Sequence, residues 1–242
     1  MAIRVFCCCA AFAALFVSPC SAQFAYRSDF SVPPFRIDES IVGQNNWEHF
    51  GSMFAPDSAS RIVAVPWNEK ESALLLQTNE RADGRIRIRD GALGSSEFEG
   101  SFSVTTPLAF NFDPGDRRNG VTVIAFANLY AGHSPIVFGM DYSADGGLFY
   151  RGKAETGNVL ILPKGEVQMD SFYNFQLDID PISRVFDIKV TGVKADGSPF
   201  NYSVSGVEAG ENGGFHGIYV ESIDDPRFGV YIGTGTVSGN TP

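Results

Sequence analysis

The feature that most constrains the fold is a strict two-residue alternation of apolar and polar side chains in short segments. The clearest pair of segments has the apolar members Tyr173, Phe175, Leu177 and Ile179, followed by Phe186, Ile188 and Val190. A period of two predicts β-strands that bury one face. Asp180-Pro181-Ile182-Ser183 separates the segments and predicts a turn, because proline suits the fixed φ of the second turn position. The sequence therefore predicts a hairpin with a fully buried Phe186.

Other short apolar segments, separated by glycine-rich turns, predict further strands. They are Arg85–Arg89, Val121–Leu129, Ile136–Tyr142, Leu148–Arg151, Phe200–Val204 and Phe228–Val237. Val121–Leu129 is apolar at odd and even positions alike, so both faces of this strand are predicted to be buried. This predicts a central strand with Val123 fully buried. No segment keeps a helical period over about twelve residues, and a parallel sheet needs crossover helices. The sequence therefore predicts one all-β domain, a two-sheet antiparallel sandwich.

The first 22 residues are predicted to be a secretory signal peptide. A cation precedes the apolar run Val5–Val17, and the small-residue site Cys20-Ser21-Ala22 follows it, which is the order of such a signal. The apolar run is shorter than the roughly 20 residues that cross a bilayer, so no transmembrane segment is predicted. Residues 23–242 then form the jelly-roll domain, located outside the cell, in the periplasm or at the cell envelope. A lipid anchor on Cys20 is an open alternative, although a proline directly before it fits a lipidation site poorly.

Cysteine placement and net charge exclude several classes of site. All four cysteines lie within residues 1–22, so the predicted domain contains none. Disulfides, thiolate nucleophiles and cysteine-ligated metal centres are therefore excluded from it. The chain carries a formal net charge of -10 at pH 7, which disfavours binding to nucleic acid or to an anionic membrane surface.

Two stretches resemble bacterial secreted concanavalin A-like (laminin G-like) jelly rolls. The first is Ser28-Asp29-Phe30 followed by Ser40-Ile41-Val42-Gly43-Gln44-Asn45-Asn46-Trp47, in which Asn46 stands where that pattern has glycine. The second runs from Ser171 to Gly192 and is similar to a hairpin of that superfamily. The resemblance implies a two-sheet jelly roll with a concave face. It does not imply one function, because this fold carries lectins, glycanases, lyases and adhesive modules.

Three classes of function follow from these observations. The favoured prediction is a non-catalytic domain that binds a polysaccharide or a cell-surface glycan. A polysaccharide-degrading enzyme is the alternative, with Glu97/Glu99 and Asp178/Asp180 as carboxylate pairs at strand spacing. The acid-containing string of jelly-roll glycanases is absent. Its nearest relative, Glu221-Ser222-Ile223-Asp224-Asp225, leads into a proline and predicts a loop. A structural or adhesive envelope protein is the third class.

Four residues are candidates for glycan contact. Arg85, Arg87 and Arg89 share one face of a predicted strand, and guanidinium groups bind carboxylates and sulfates. The favoured interpretation is a structural ladder, in which these arginines pair with Glu97 and Glu99 of the next strand. Trp67 follows a proline in a predicted polar loop, where its ring is a candidate for stacking under a sugar.

One loop is a candidate for calcium. Asp113, Asp116 and Asn119 supply oxygen ligands at a three-residue spacing, and oxygen is the ligand atom that calcium prefers. Asp-Pro-Gly-Asp is also ordinary turn chemistry, so both interpretations stay open. No other cofactor is predicted.

Overall fold

The computed structural model describes residues 23–49, 60–76, 84–88, 100–111, 120–125, 136–141, 146–153, 157–180, 182–209, 218–223 and 229–240. In β5, β7 and β14, and in β8 apart from Gly139, the backbone alone is described. Within these ranges the strands are, in chain order, β1 Gln23–Ser28, β2 Trp47–His49, β3 Ser60–Val65, β4 Asn68–Leu76, β5 Gly84–Ile88, β6 Phe102–Asn111, β7 Gly120–Ala125, β8 Ile136–Asp141, β9 Gly147–Arg151, β10 Val159–Pro163, β11 Tyr173–Asp180, β12 Val185–Val193, β13 Pro199–Glu208, β14 Ile218–Ile223, β15 Gly229–Ile232 and β16 Gly235–Asn240. A 3-10 turn at Lys164–Glu166 lies between β10 and β11.

The described strands form two antiparallel sheets. The nine-stranded sheet has the order β13-β12-β11-β6-β15-β4-β3, and β16 adds to β6 and carries β1 on its other side. The seven-stranded sheet has the order β10-β9-β8-β7-β14-β5-β2. The predicted all-β antiparallel sandwich is therefore confirmed. The described residues contain no helix that is both long and apolar enough to cross a membrane. Residues 1–22 lie outside the described part.

The core between the sheets is built by the alternation seen in the sequence. In β11, Tyr173, Phe175, Leu177 and Ile179 are buried and the residues between them face solvent. β12 continues the pattern after the turn, and Phe186 is 1 % exposed. Leu148, Tyr150 and Leu162 of the seven-stranded sheet belong to the same apolar cluster. The predicted hairpin and the burial of Phe186 are confirmed.

Two other strand predictions are confirmed in position. β8 and β9 pair as the predicted hairpin, with Val137 opposite Arg151. β7 lies between β8 and β14 at the centre of its sheet, as the apolar run predicts. Residues 126–129 and the side chain of Val123 lie outside the described part.

The predicted strand Phe228–Val237 is wrong as a single element. β15 and β16 run one after the other along the same edge of β6, and β15 ends at Ile232 before β16 begins at Gly235. Gly233 joins them by donating its N–H to the carbonyl of Pro107 over 2.9 Å. A Cβ at this position would lie 3.0 Å from the Cβ of Pro107, so a side chain here does not fit without movement.

The stretch before β2 explains the departure from the jelly-roll pattern at residue 46. Gly43, Asn45 and Asn46 have φ values of 85°, 43° and 68°. Asparagine tolerates this left-handed region better than other residues with a side chain. Asn46 therefore supplies the conformation for which the pattern uses glycine. The turn delivers Trp47 into the core, where it is 4 % exposed.

Candidate functional site

The two faces of the seven-stranded sheet are assigned from its buried residues and its register. Trp47 of β2 belongs to the core between the sheets and lies opposite Ile88 of β5. Residues an odd number of positions away along a strand belong to the other face. Arg85 and Arg87 are therefore on the face that looks away from the core.

This outward face contains two rows of residues in register across the strands. The first row consists of Glu48, Arg87, Tyr219, Ile124, Val137 and Arg151. The second row consists of Arg85, Glu221, Thr122, Gly139 and Phe149. We call these two rows the outer band. Because neighbouring strands are about 4.8 Å apart, the first row spans roughly 24 Å from β2 to β9.

The register shows that the predicted hairpin partner of Arg87 is wrong. Arg87 lies between Glu48 on β2 and Tyr219 on β14. Both edges of β5 are therefore occupied at this position, and no edge is left for a hairpin strand carrying Glu97 and Glu99. Those two glutamates and Arg89 lie outside the described residues.

The charges of the two arginines are nevertheless matched within the band. Glu48 is directly opposite Arg87, and Glu221 is directly opposite Arg85. Opposite charges in register on adjacent strands stabilise a sheet. This end of the outer band therefore carries two positive and two negative residues, and its net formal charge is zero.

The other end of the band has a different character. Arg151 of β9 is half-buried, and its Nε atom is buried with no hydrogen-bond partner among the described residues. Phe149, two residues earlier on the same face, is only 4 % exposed. Gly139 lies beside Phe149 in the row and has a φ of 152°. Arg151 is therefore close to the apolar ring of Phe149 and to Gly139, which has no side chain.

Trp67 lies on the opposite side of the molecule. It follows β3 and packs edge-on against Tyr231, with ring centroids 4.9 Å apart, and against Phe172 at 5.7 Å. These rings cover a small second cluster whose buried members are Val63, Val65, Ala73, Leu75, Ala109 and Tyr231. Ile232, next to Tyr231 in β15, belongs to the main core, so the second cluster lies on the outward face of the nine-stranded sheet. The structure does not bring Trp67 together with the arginines.

Burial also affects the ionisation of Tyr231, a member of this second cluster. Burial raises the pKa of Tyr231 above its ordinary value, and the negative charge of Asp170 raises it further. The positive charge of Arg61 acts in the opposite direction. The phenol therefore stays neutral over the physiological range and serves the packing of Trp67.

The carboxylate pair Asp178/Asp180 has a structural role on the nine-stranded sheet. The hydroxyl of Ser103 donates to Asp178 Oδ1 over 2.5 Å. Asp180 accepts the hydroxyl of Ser183 over 2.6 Å and the N–H of Ile182 over 2.9 Å. The Ser183 hydrogen bond is the main cause that lowers the pKa of Asp180 below its ordinary value. This aspartate holds the turn between β11 and β12.

The calcium prediction falls on residues that the structure does not describe. Asp113, Asp116 and Asn119 all lie in the gap between β6 and β7. Within the described ranges, no three acidic or histidine side chains are grouped so that they could hold a metal ion.

Sequence reasoning missed Tyr219 and Glu221 because it interpreted Glu221–Asp225 as a loop. β14 continues through Ile223, so the strand ends only three residues before Pro226. The missed signal is the alternation in Tyr219-Val220-Glu221, which is typical of a strand with one polar face.

Comparison with solved structures identifies the architecture. The chain is similar to the marine PL-14 alginate lyase from Aplysia kurodai, with a TM-score of 0.53 and 10% identity over 90% of this chain and 98% of that one. It is also similar to a lectin from Bauhinia forficata in complex with GalNAc, with a TM-score of 0.52 and 9% identity over 91% and 99% of the two chains. The fold is the concanavalin A-like jelly roll.

A second lectin shares this jelly roll. Winged bean acidic lectin, complexed with methyl-alpha-D-galactose, has a TM-score of 0.52 and 7% identity over 90% of this chain and 99% of that one. The sequence matches no protein-family model and no curated protein. At these identities the similarity shows the fold, and the function has to be argued from the residues.

Proposed function

We propose that this jelly roll is a carbohydrate-binding protein that holds a glycan chain across the outer band. The observation that carries the proposal is the register itself, which gathers Glu48, Arg87, Tyr219 and Arg151 from four strands into one row on the face away from the core. A row of roughly 24 Å suits a chain of sugar units better than a single sugar.

The residue types in the band match the chemistry of sugars. Carboxylate and guanidinium groups form paired hydrogen bonds with neighbouring hydroxyls, and a tyrosine ring offers an apolar surface to a pyranose. Because Glu48 and Glu221 match the charges of Arg87 and Arg85, this end is suited to neutral hydroxyl groups rather than to a polyanion. Lectins of the same fold that bind GalNAc and methyl-alpha-D-galactose support a carbohydrate ligand.

The experiment that tests this proposal combines a glycan array with three variants of residues 23–242. We expect Tyr219→Ala to weaken binding of any array hit about tenfold or more, because it removes a ring from the centre of the band. Arg87→Ala is expected to weaken it as well and to lower stability by up to about 1 kcal/mol. Trp67→Ala, on the opposite sheet, is the control and should leave affinity unchanged.

Two results would contradict the proposal. An array without any hit would remove its basis. Loss of binding in Trp67→Ala, with Tyr219→Ala unaffected, would move the site to the outward face of the nine-stranded sheet.

A polysaccharide-degrading enzyme is the second candidate, favoured by one observation. Glu48 and Glu221 flank β5 on the same face, offset by two residues, which puts their Cα atoms roughly 12 Å apart. Long side chains at that spacing can approach the carboxyl separation of about 6.5–9.5 Å used by inverting glycosidases. Release of reducing ends from an array hit, abolished in both Glu48→Gln and Glu221→Gln, would establish hydrolysis.

We infer in addition that the protein acts outside the cytoplasm, since residues 1–22 have the order of a secretory signal. Expression of the full chain in a bacterium, followed by N-terminal sequencing, is expected to give a mature protein that begins at or near Gln23. Recovery of intact Met1 in the membrane fraction would contradict this inference.

A further inference from the structure

Arg151 is the feature of the outer band that charge pairing does not explain. Within the first row, Glu48 is the in-register acid for Arg87, but the residue opposite Arg151 on β8 is Val137. The Nε atom of Arg151 is shielded from solvent and has no hydrogen-bond partner among the described residues. Leaving such a donor unsatisfied is costly in a folded protein.

Glu208, which lies close to the backbone next to Arg151, is already engaged. Glu208 of β13 forms an ion pair with Lys153, two residues after Arg151. Gly152 lies between Arg151 and Lys153 and approaches the backbone of Glu208. A Cβ at position 152 would overlap the carbonyl oxygen of Glu208. The backbone directly after Arg151 is therefore held in place by its own packing against β13.

The described residues next to Arg151 on the outward face of β8 and β9 in these rows carry no charge. Phe149 is 4 % exposed, and Val137 and Gly139 are the opposing residues on β8. A guanidinium beside such groups is less screened by water, so a charged hydrogen bond to it is stronger than at an open surface. The planar fork of arginine fits both oxygens of a carboxylate.

We propose that Arg151 is a subsite for the carboxylate of a uronic acid unit in the bound glycan. The inference rests on the proposed function, since it assumes that a glycan lies along the outer band. The two ends of the band then have distinct tasks. The charge-matched end at Arg85 and Arg87 contacts neutral hydroxyls, and the Arg151 end selects a sugar with an acidic substituent.

The test uses matched pairs of probes that differ only in the carboxylate. Otherwise neutral oligosaccharides that carry one galacturonic, mannuronic or guluronic acid unit are each compared with the same oligosaccharide after that carboxyl group has been reduced to an alcohol. Affinities are measured by calorimetry for wild-type protein, Arg151→Gln and Arg151→Lys. Lys189→Gln serves as the matched control, because it removes one positive charge from an exposed position on the nine-stranded sheet.

We expect at least one acidic probe to bind wild-type protein about tenfold or more tightly than its reduced partner. Arg151→Gln should remove this preference, so that the acidic and the reduced probe bind the variant with equal affinity. Arg151→Lys should keep part of the preference, because it retains the charge without the fork. Lys189→Gln should keep all of it. A preference that persists unchanged in Arg151→Gln overturns the inference, as does the absence of any preference in wild-type protein.

The failure of this inference is distinguishable from failure of the proposed function. If acidic and reduced probes bind wild-type protein equally well and both lose affinity in Tyr219→Ala, the carboxylate subsite is wrong and glycan binding stands. If neither form of any probe binds, the carboxylate subsite is overturned, and the glycan array decides separately whether glycan binding stands. The NMR signal of the Arg151 Nε–H group gives a direct second readout, since it must shift with the acidic probe and stay in place with the reduced one.

Discussion

Tyr173 and Gly192 are in such close contact that position 192 has no room for a side chain. A Cβ on Gly192 would lie 2.8 Å from Cε1 of the Tyr173 ring and closer still to Cδ1. The ring is held in place by its hydroxyl, which accepts the N–H of Gln168 over 2.7 Å and donates to the carbonyl of Val193 over 2.5 Å. The tyrosine therefore cannot turn aside without losing two hydrogen bonds.

We expect Gly192→Ala to lower the free energy of unfolding by about 1–3 kcal/mol, the usual cost of overpacking a core. Urea denaturation of residues 23–242 measures it. Gly165→Ala is the matched control, because no atom lies within 4 Å of a Cβ built at that position. Equal stability losses in the two variants would contradict the packing explanation.

Phe186→Ala should destabilise the protein by about 3–5 kcal/mol, because it removes a buried ring and leaves a cavity. Phe186 is 1 % exposed and packs against Tyr150 across the sandwich, with ring centroids 6.3 Å apart. Ile182→Ala in the neighbouring turn is the control, since Ile182 is 82 % exposed. A loss below about 1 kcal/mol for Phe186→Ala would mean that the ring contributes little to the core.

Position 46 tests the backbone explanation for the departure from the jelly-roll pattern. Asn46→Gly should be neutral or slightly stabilising, because glycine adopts a φ of 68° without strain. Asn46→Val should cost about 1–2 kcal/mol, since a branched side chain is strained in the left-handed region. Thermal unfolding of the two variants gives the comparison, and equal melting temperatures would show that the turn has other conformations available.

Alkaline pH should weaken the fold through Tyr202. Burial is the main cause that raises the pKa of Tyr202 to about 12, and the neighbouring hydroxyl of Tyr150 adds to it. A phenol with a raised pKa in the folded state stabilises the fold below the ordinary value of 10, and this contribution is lost as pH rises through about 12. Tyr202→Phe should therefore reduce the loss of stability between these pH values, measured by denaturation at each pH. A pH dependence identical to that of wild-type protein would assign the loss to other tyrosines.

The sequence predicted what depends on neighbours along the chain and missed what depends on distant pairing. The alternation around Phe186 specifies a face and a turn locally, so the hairpin and its buried ring were predictable. The same alternation put Arg85 and Arg87 on one face but gave no information about the strand beside them. Their true neighbours, Glu48 and Glu221, lie far away in the sequence, and only the folded register brings them to β5.

The pairing of the first strand with the last has a consequence for the order in which the molecule is completed. β1 pairs along its whole length with β16, and β16 also occupies an edge of β6 in the middle of the sheet. During synthesis, β1 and part of β6 therefore keep open backbone edges until residues 235–240 emerge. Contacts of such long sequence separation slow folding, and open edges invite pairing with other chains. A chaperone that shields β1 and β6 from neighbouring nascent chains would increase the yield of this protein more than one that acts on the local β11–β12 hairpin.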